Sequence, residues 1–420
     1  MPKPGLAARQ AALDLLNGVR IGHRALSELT VPEALAPEER ARAARLAAET
    51  LRWAGRADRM LGPHLRQRPP EEVLNLLRLG TVELCVDGAA AHGVVDAAVT
   101  LAKGAAETRR QAGLVNAVLR RVSEEAAKWD TLPVPELPKW LRKRLLAAWG
   151  KAAVAEMEAA HARGAALDLT PRDGDAGALA ASVGGEVLPT GSVRVASGQV
   201  TALAGYAEGR FWVQDAAAAL PARVLAPGAG ERVLDLCAAP GGKTMQLAAM
   251  GARVTALDVS PERMTRVAEN LARTGLEAEI VVADALTWEG GPFDAVLLDA
   301  PCTATGTIRR HPDLPFVKEE AQVGELAALQ SALIDRALRL VRPGGRVVFC
   351  TCSLLPEEGE AQVEAALARH PGVTLVPEAL AVPGVERDWI GPWGLRLRPD
   401  FWAERGGMDG FFIACLRAPG

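Results

Sequence analysis

Apolar positions over residues 1–130 recur at three- and four-residue spacing, as in AARQAALDLLNGV, ARAARLAAETLRWA and EEVLNLLRLGTVELCV. That period predicts amphipathic helices. Breakers at Gly62-Pro63 and Pro69-Pro70 divide them, so an all-α bundle of roughly five to seven helices is expected. The proline-rich stretch TLPVPELP at 131–138 predicts a linker. Residues 131–225 then mix a helix starting at WLRKRLLAAWG with short strand-like runs, AALDLT and EVLPT, which predicts a small α+β subdomain. From about residue 226 to 420 short apolar runs alternate with helical sequence: RVLDL, RVTALD, AEIVVAD, FDAVLLDA and RVVFCT. Strands alternating with helices predict a doubly wound α/β sheet, with the last run, GFFIACLR, added antiparallel at its edge.

Composition changes this picture little. The formal net charge of −3 argues against a uniformly basic surface. Residues 101–151 are nonetheless locally basic, including KWLRKR at 139–144, a candidate contact for a nucleic-acid backbone. The start, MPKPGLAARQ, has no apolar export core, and no run approaches the ~18 apolar residues of a membrane span, so a cytoplasmic chain without membrane contact is expected. The six cysteines, Cys85, Cys237, Cys302, Cys350, Cys352 and Cys415, form no C-x-x-C pair. Free thiols are expected, and no metal site.

The run RVLDLCAAPGGKT at 232–244 is a strand, a Gly/Pro loop and a helix start, the place where an open α/β sheet binds its ligand. A phosphate loop ending in Gly242-Lys243-Thr244 requires glycine at 237, where Cys237 stands, and Pro240 lacks an amide donor. An NTPase is therefore excluded. Acids follow at successive strand ends instead: Asp258 for ribose hydroxyls, Asp284 for an adenine amino group, and Asp299. A nucleoside without phosphate fits this pattern, and S-adenosylmethionine is the expected cofactor, bound by Cys237, Ala238, Ala239, Pro240, Gly241, Gly242, Lys243, Asp258, Asp284 and Asp299. Lys243 is placed to pair with Asp299, to reach a base or to cap the helix start.

The chemistry follows from two cysteine motifs, DAPC at 299–302 and TCS at 351–353, each closing a strand of one sheet. Carbon 5 of cytosine is a poor nucleophile. A thiolate adding at carbon 6 converts it into an enamine carbon able to take a methyl group, with Asp299 supporting N3 of the base either as a protonated donor or through the base's own proton. Cys350, two residues earlier in an apolar strand, reads as core. A base must be unstacked to be reached, which favours single-stranded or loop RNA.

LDLCAAPGGKT, LLDAPCTATGTIRRHPD and VVFCTCSLLPEE resemble the RNA cytosine-5 methyltransferases of the Nop2/Sun family. The resemblance implies a class I Rossmann-like methyltransferase domain with Cys352 as nucleophile and Cys302 assisting product release. The helical region ending in GLVNAVLRRV at 113–122 is similar to the NusB-like RNA-binding domain, while PKWL at 138–141 and WVQDAAA at 212–218 are also family-like. Together these imply one cytidine of 16S ribosomal RNA as target, with no obligatory protein partner. ALDLTPR departs from the family's usual L-R-V-N strand, and PDFWAERGGMDGFF keeps only its D-G-F-F core. Arg309, Arg310 and His311, just after the D-A-P-C loop, are candidate RNA contacts.

Overall fold

A computed structural model describes residues 5–196 and 198–420. The chain forms two compact units: residues 5–164 with 308–318, and residues 165–307 with 319–420. These boundaries fall elsewhere than the composition shifts at 130 and 225.

The first unit is helical: α1 (Leu6–Arg20), α2 (Pro37–Leu61), α3 (Glu71–Cys85), α4 (Ala91–Gly104), α5 (Ala112–Glu124) and α6 (Lys139–Arg163), the last broken at Gly150 by a φ of 77°. Their periodic apolar faces meet in one core around Leu16, Leu46, Leu77, Leu119 and Trp129. Arg78, 1% exposed, crosses that core to bond Asp58 at 2.7 Å and Glu71 at 2.6 Å. The stretch 131–138 is not a free linker. The Pro133 carbonyl accepts from Arg56, and the Leu137 amide donates to buried Glu158 at 2.9 Å, which fastens the stretch between α2 and α6.

In the second unit the α+β part is an antiparallel sheet of β1 (Leu167–Pro171), β2 (Glu186–Val187), β3 (Val193–Val195) and β4 (Phe211–Val213) in the order β2-β3-β1-β4, with helix α7 (Ala176–Val183). Fully buried Asp168 takes both prongs of Arg194, at 2.7 and 2.8 Å. Arg194 also donates to the carbonyls of Arg405 and Gly407, tying this sheet to the C-terminal loop.

The doubly wound part runs α8 (Leu220–Leu225), β5 (Arg232–Leu236), α9 (Gly242–Ala249), β6 (Arg253–Asp258), α10 (Pro261–Thr274), β7 (Glu279–Val282), β8 (Phe293–Asp299), α11 (Leu314–Val317, within the first unit), α12 (Ala321–Leu340), β9 (Val341–Thr351), α13 (Glu360–Arg369), β10 (Thr374–Leu375), β11 (Leu395–Leu397) and β12 (Phe411–Arg417). The strand order is β10-β12-β9-β8-β5-β6-β7, with β11 also paired to β12. Strands β5 to β9 are parallel to one another. The apolar runs of β5, β8 and β9 are continuous because both faces are covered, whereas β7 is an exposed edge strand. Val233, Ala295, Leu297 and Val348 bury on one side, Leu234, Val296, Leu298 and Phe349 on the other. The C-terminal run is antiparallel to β9, as expected. It lies inside the sheet, however, because the short β10 and β11 pair with its far edge and shield it.

Candidate active site

The chain leaves β5 towards β6 and β7 on one side and returns to β8 on the other. The carboxyl ends of β5 and β8 therefore bound the crevice at which open α/β sheets take ligands. The loop Cys237–Gly241 lies there. Cys237 at φ 65° and Gly241 at φ 99° turn it sharply, and a Cβ on Gly241 would sit 3.1 Å from Val267. The Ala239 amide donates to Asp258 at 3.2 Å, and the Ser260 amide to the other oxygen at 3.0 Å. Asp258 thus ends β6 buried, with its carboxylate oriented by the loop itself.

Asp284 is exposed and stands two residues beyond β7, not at its end. Its side chain accepts from the Leu286 amide at 2.9 Å, closing a local turn. The sequence reading carried the strand too far because EIVVAD stays apolar past the last paired residue, Val282.

Lys243 resolves among its readings by geometry: Nζ donates to Asp299 at 2.7 Å across the crevice and lies 5.3 Å from the Phe411 ring centre. Burial works against the Lys243 charge, but the surrounding groups, Asp299 foremost and Asp235 with it, together hold the ammonium well above the ordinary lysine range. The other oxygen of Asp299 faces the Cys350 thiol at 3.5 Å. Cys350 is fully buried, as a core residue should be, yet it also touches the site acid. Beneath the loop, burial lifts Asp235 to about 7, opposed by a 2.6 Å hydrogen bond from Thr244.

The two motif thiols meet. Cys302, three residues after the end of β8, and Cys352, one residue after β9, place their sulfurs 3.5 Å apart. Contact with Cys352 and burial push the Cys302 thiol well above its usual range, so Cys302 keeps its proton at neutral pH. Burial, with the charges of Asp258 and Asp299, does the same to Cys237.

The donor set suits a cationic nucleoside better than a phosphorylated one. Three carboxylates, Asp258, Asp284 and Asp299, lie at or just beyond the carboxyl ends of β6, β7 and β8, and Lys243 is already engaged. Val259 and Leu286, which the sequence reading missed, are apolar yet 67% and 38% exposed, next to Asp258 and two residues past Asp284. Also missed was Glu358, fully buried under both thiol loops. Its signal was the PEE that ends VVFCTCSLLPEE.

Arg309, Arg310 and His311 belong with the helical unit. Arg309 is 1% exposed and acts electrostatically on buried His161, so it does not present a charge to a phosphate.

Residues 222–417 match the family described as 16S rRNA methyltransferase RsmB/F, and residues 6–124 match the NusB family. The ribosomal RNA small subunit methyltransferase B of Pseudomonas putida is 37% identical, over 88% of each chain. That coverage decides the matter. The chain belongs to the RsmB/F methyltransferase family. The protein of the same name from Pseudomonas syringae pv. tomato is 35% identical, over 98% of this chain and 96% of that one. Among solved structures, a methyltransferase homologue from Pyrococcus horikoshii superposes with TM-score 0.55 at 26% identity, covering 67% of this chain and 95% of that chain. Both the NusB-like helical start and the Rossmann-like methyltransferase sheet are thereby established. Among the described residues, no helix is long and apolar enough to cross a membrane.

Proposed function

We infer that this RsmB/F-family protein methylates carbon 5 of a cytidine in 16S ribosomal RNA through a covalent bond between Cys352 and carbon 6 of the base. The observation that carries the reading is the pair of thiols from adjacent strand ends, 3.5 Å apart, beside the Asp299–Lys243 pair. Cys352 is the nucleophile, and the protonated Cys302 thiol donates towards its sulfur, supporting negative charge there. Addition at carbon 6 makes carbon 5 nucleophilic. After methylation a solvent base takes the carbon-5 proton, the C5–C6 double bond re-forms as the bond from carbon 6 to the Cys352 sulfur breaks, and Cys302 donates a hydrogen bond to the departing thiolate as the base is released. Asp299, which accepts hydrogen bonds in this geometry, faces N3 and takes part through the base's own proton.

S-adenosylmethionine, when bound, supplies the methyl group. Residues 237–243, Asp258, Asp284 and Asp299 hold it, with Val259 and Leu286 as apolar contacts for its adenine. The helical residues and the small α+β part at 131–225 serve RNA binding, and the protein works in the cytoplasm with no obligatory protein partner. The test is methyl transfer from labelled S-adenosylmethionine to unmodified 16S RNA and to bulk transfer RNA, with bisulfite sequencing of the labelled species. One protected cytidine in 16S RNA is expected. Label in transfer RNA alone overturns the substrate, and label on any atom other than carbon 5 overturns the chemistry.

A further inference from the structure

Glu358 closes the short 3-10 turn Pro356–Glu358, yet its carboxylate does not cap the helix that follows. It points under the site. One oxygen accepts from the Thr303 amide at 2.9 Å and from Gln330 Nε2 at 3.2 Å. The other accepts from Thr303 Oγ1 at 2.5 Å and Ser353 Oγ at 2.6 Å. Gln330 Nε2 in turn donates to the Pro301 carbonyl at 2.9 Å. Pro301 and Thr303 flank Cys302, and Ser353 follows Cys352. Every group bound to this carboxylate therefore either adjoins one of the two thiols or holds a residue that does. Thr303, Gln330, Ser353 and Glu358 are all fully buried.

A carboxylate buried among neutral donors is disfavoured relative to water, and an apolar side chain of similar volume would fill the space without that penalty. What an apolar residue cannot do is bind four donors from two loops and helix α12 at once. Thr305 adds a lateral tie, lying 3.2 Å from Ser353 Oγ and accepting from the Leu354 amide at 2.9 Å. The Gly306 amide donates to the Cys352 carbonyl at 2.9 Å. The two loops are thus sewn together at their bases while the sulfurs stay free of these bonds.

We propose that Glu358 is the positioning residue of the thiol pair, fixing the spacing of the Cys302 and Cys352 sulfurs by binding both of their loops to one carboxylate. It touches neither substrate nor cofactor. The proposal rests on the reading of these thiols as the reacting pair, but the spacing can be measured without any methylation. Its charge also reaches Cys302, adding to the forces that keep that thiol protonated.

The test uses the full chain and the rate at which diamide couples Cys302 to Cys352, read by non-reducing peptide mapping. Diamide takes up two electrons and two protons as the S–S bond forms and both S–H bonds break. Glu358→Ala should slow coupling about tenfold and lower kcat about a hundredfold, the scale expected when reacting groups shift by an ångström, with the KM for S-adenosylmethionine within about twofold. Glu358→Gln keeps the shape and removes the charge. Its coupling rate should stay near that of the parent, while alkylation of Cys302 by iodoacetamide begins at lower pH. Glu358→Ala coupling its thiols at the parental rate overturns the proposal. Should that variant not fold, Glu358→Asp, whose carboxylate is one methylene shorter and cannot reach both loops, takes its place, and coupling at the parental rate in Glu358→Asp overturns the proposal. Slowed coupling with unchanged kcat supports the positioning role and counts against the thiol chemistry, a distinction that Cys352→Ala makes independently.

Discussion

At the scale of single residues the two thiols carry separable expectations. Cys352→Ala removes one partly buried sulfur at the margin of a core cluster and should abolish methyl transfer while leaving the stability within about 1–2 kcal/mol of the parent. Retained transfer would remove Cys352 from the mechanism. Cys302→Ala should instead trap the protein on RNA, as a band that survives denaturing electrophoresis, because addition proceeds and release does not. Lys243→Met leaves Asp299 without its partner at 2.7 Å, and a loss of about 1–3 kcal/mol in chemical denaturation, together with weakened catalysis, is expected. A variant as stable and active as the parent would show the pair to be idle.

At the scale of elements the site depends on how closely two turns approach. A Cβ on Gly306 would lie 2.0 Å from the Gly410 carbonyl oxygen, too close for both backbone segments to stay where they are. Gly306→Ala should therefore push the Cys302 loop away from the start of β12 and lower kcat at least tenfold, an effect of displaced geometry checked by steady-state kinetics. Such approaches explain what the sequence could and could not reveal. The helices, the parallel strands and the crevice follow from apolar period and from acids at strand ends, and these are local signals. The pairing of Lys243 with Asp299, the Cys350 contact with that acid and the Glu358 network join residues far apart in the chain, and no local pattern encodes which buried polar group finds which. Asp284 was displaced from its expected strand end for the same reason, since pairing with a neighbour, not hydropathy, ends a strand. The stretch 131–138 read as a linker because proline composition reports stiffness and not burial, so the hold of Glu158 on Leu137 was invisible.

At the scale of the whole molecule the helical unit should be sensitive to acid. Burial, reinforced by Arg309 and Arg52, depresses His161 from 6.5 to about 3. The folded unit thus binds fewer protons than the unfolded chain between these values. Its stability is fully present above the unfolded value and is lost as pH falls from about 6.5 towards 3. From pH 7 to pH 5 this one group should remove about 2 kcal/mol, seen as a lower denaturant midpoint of the helical signal. His161→Leu should flatten that dependence; an equally steep fall would assign it to other groups.

The helical unit also carries residues 308–318, whose Phe316 and Val317 pack against its core. The ribosome delivers these residues only after the strands through β8 have been made. During synthesis the bundle must therefore wait, unfinished, for a piece that emerges from the middle of its neighbour. A recombinant fragment that stops before residue 308 would lack that piece, and one that begins at residue 165 would carry it with nothing to cover it. The protein can be divided in space but not by a single cut in its gene.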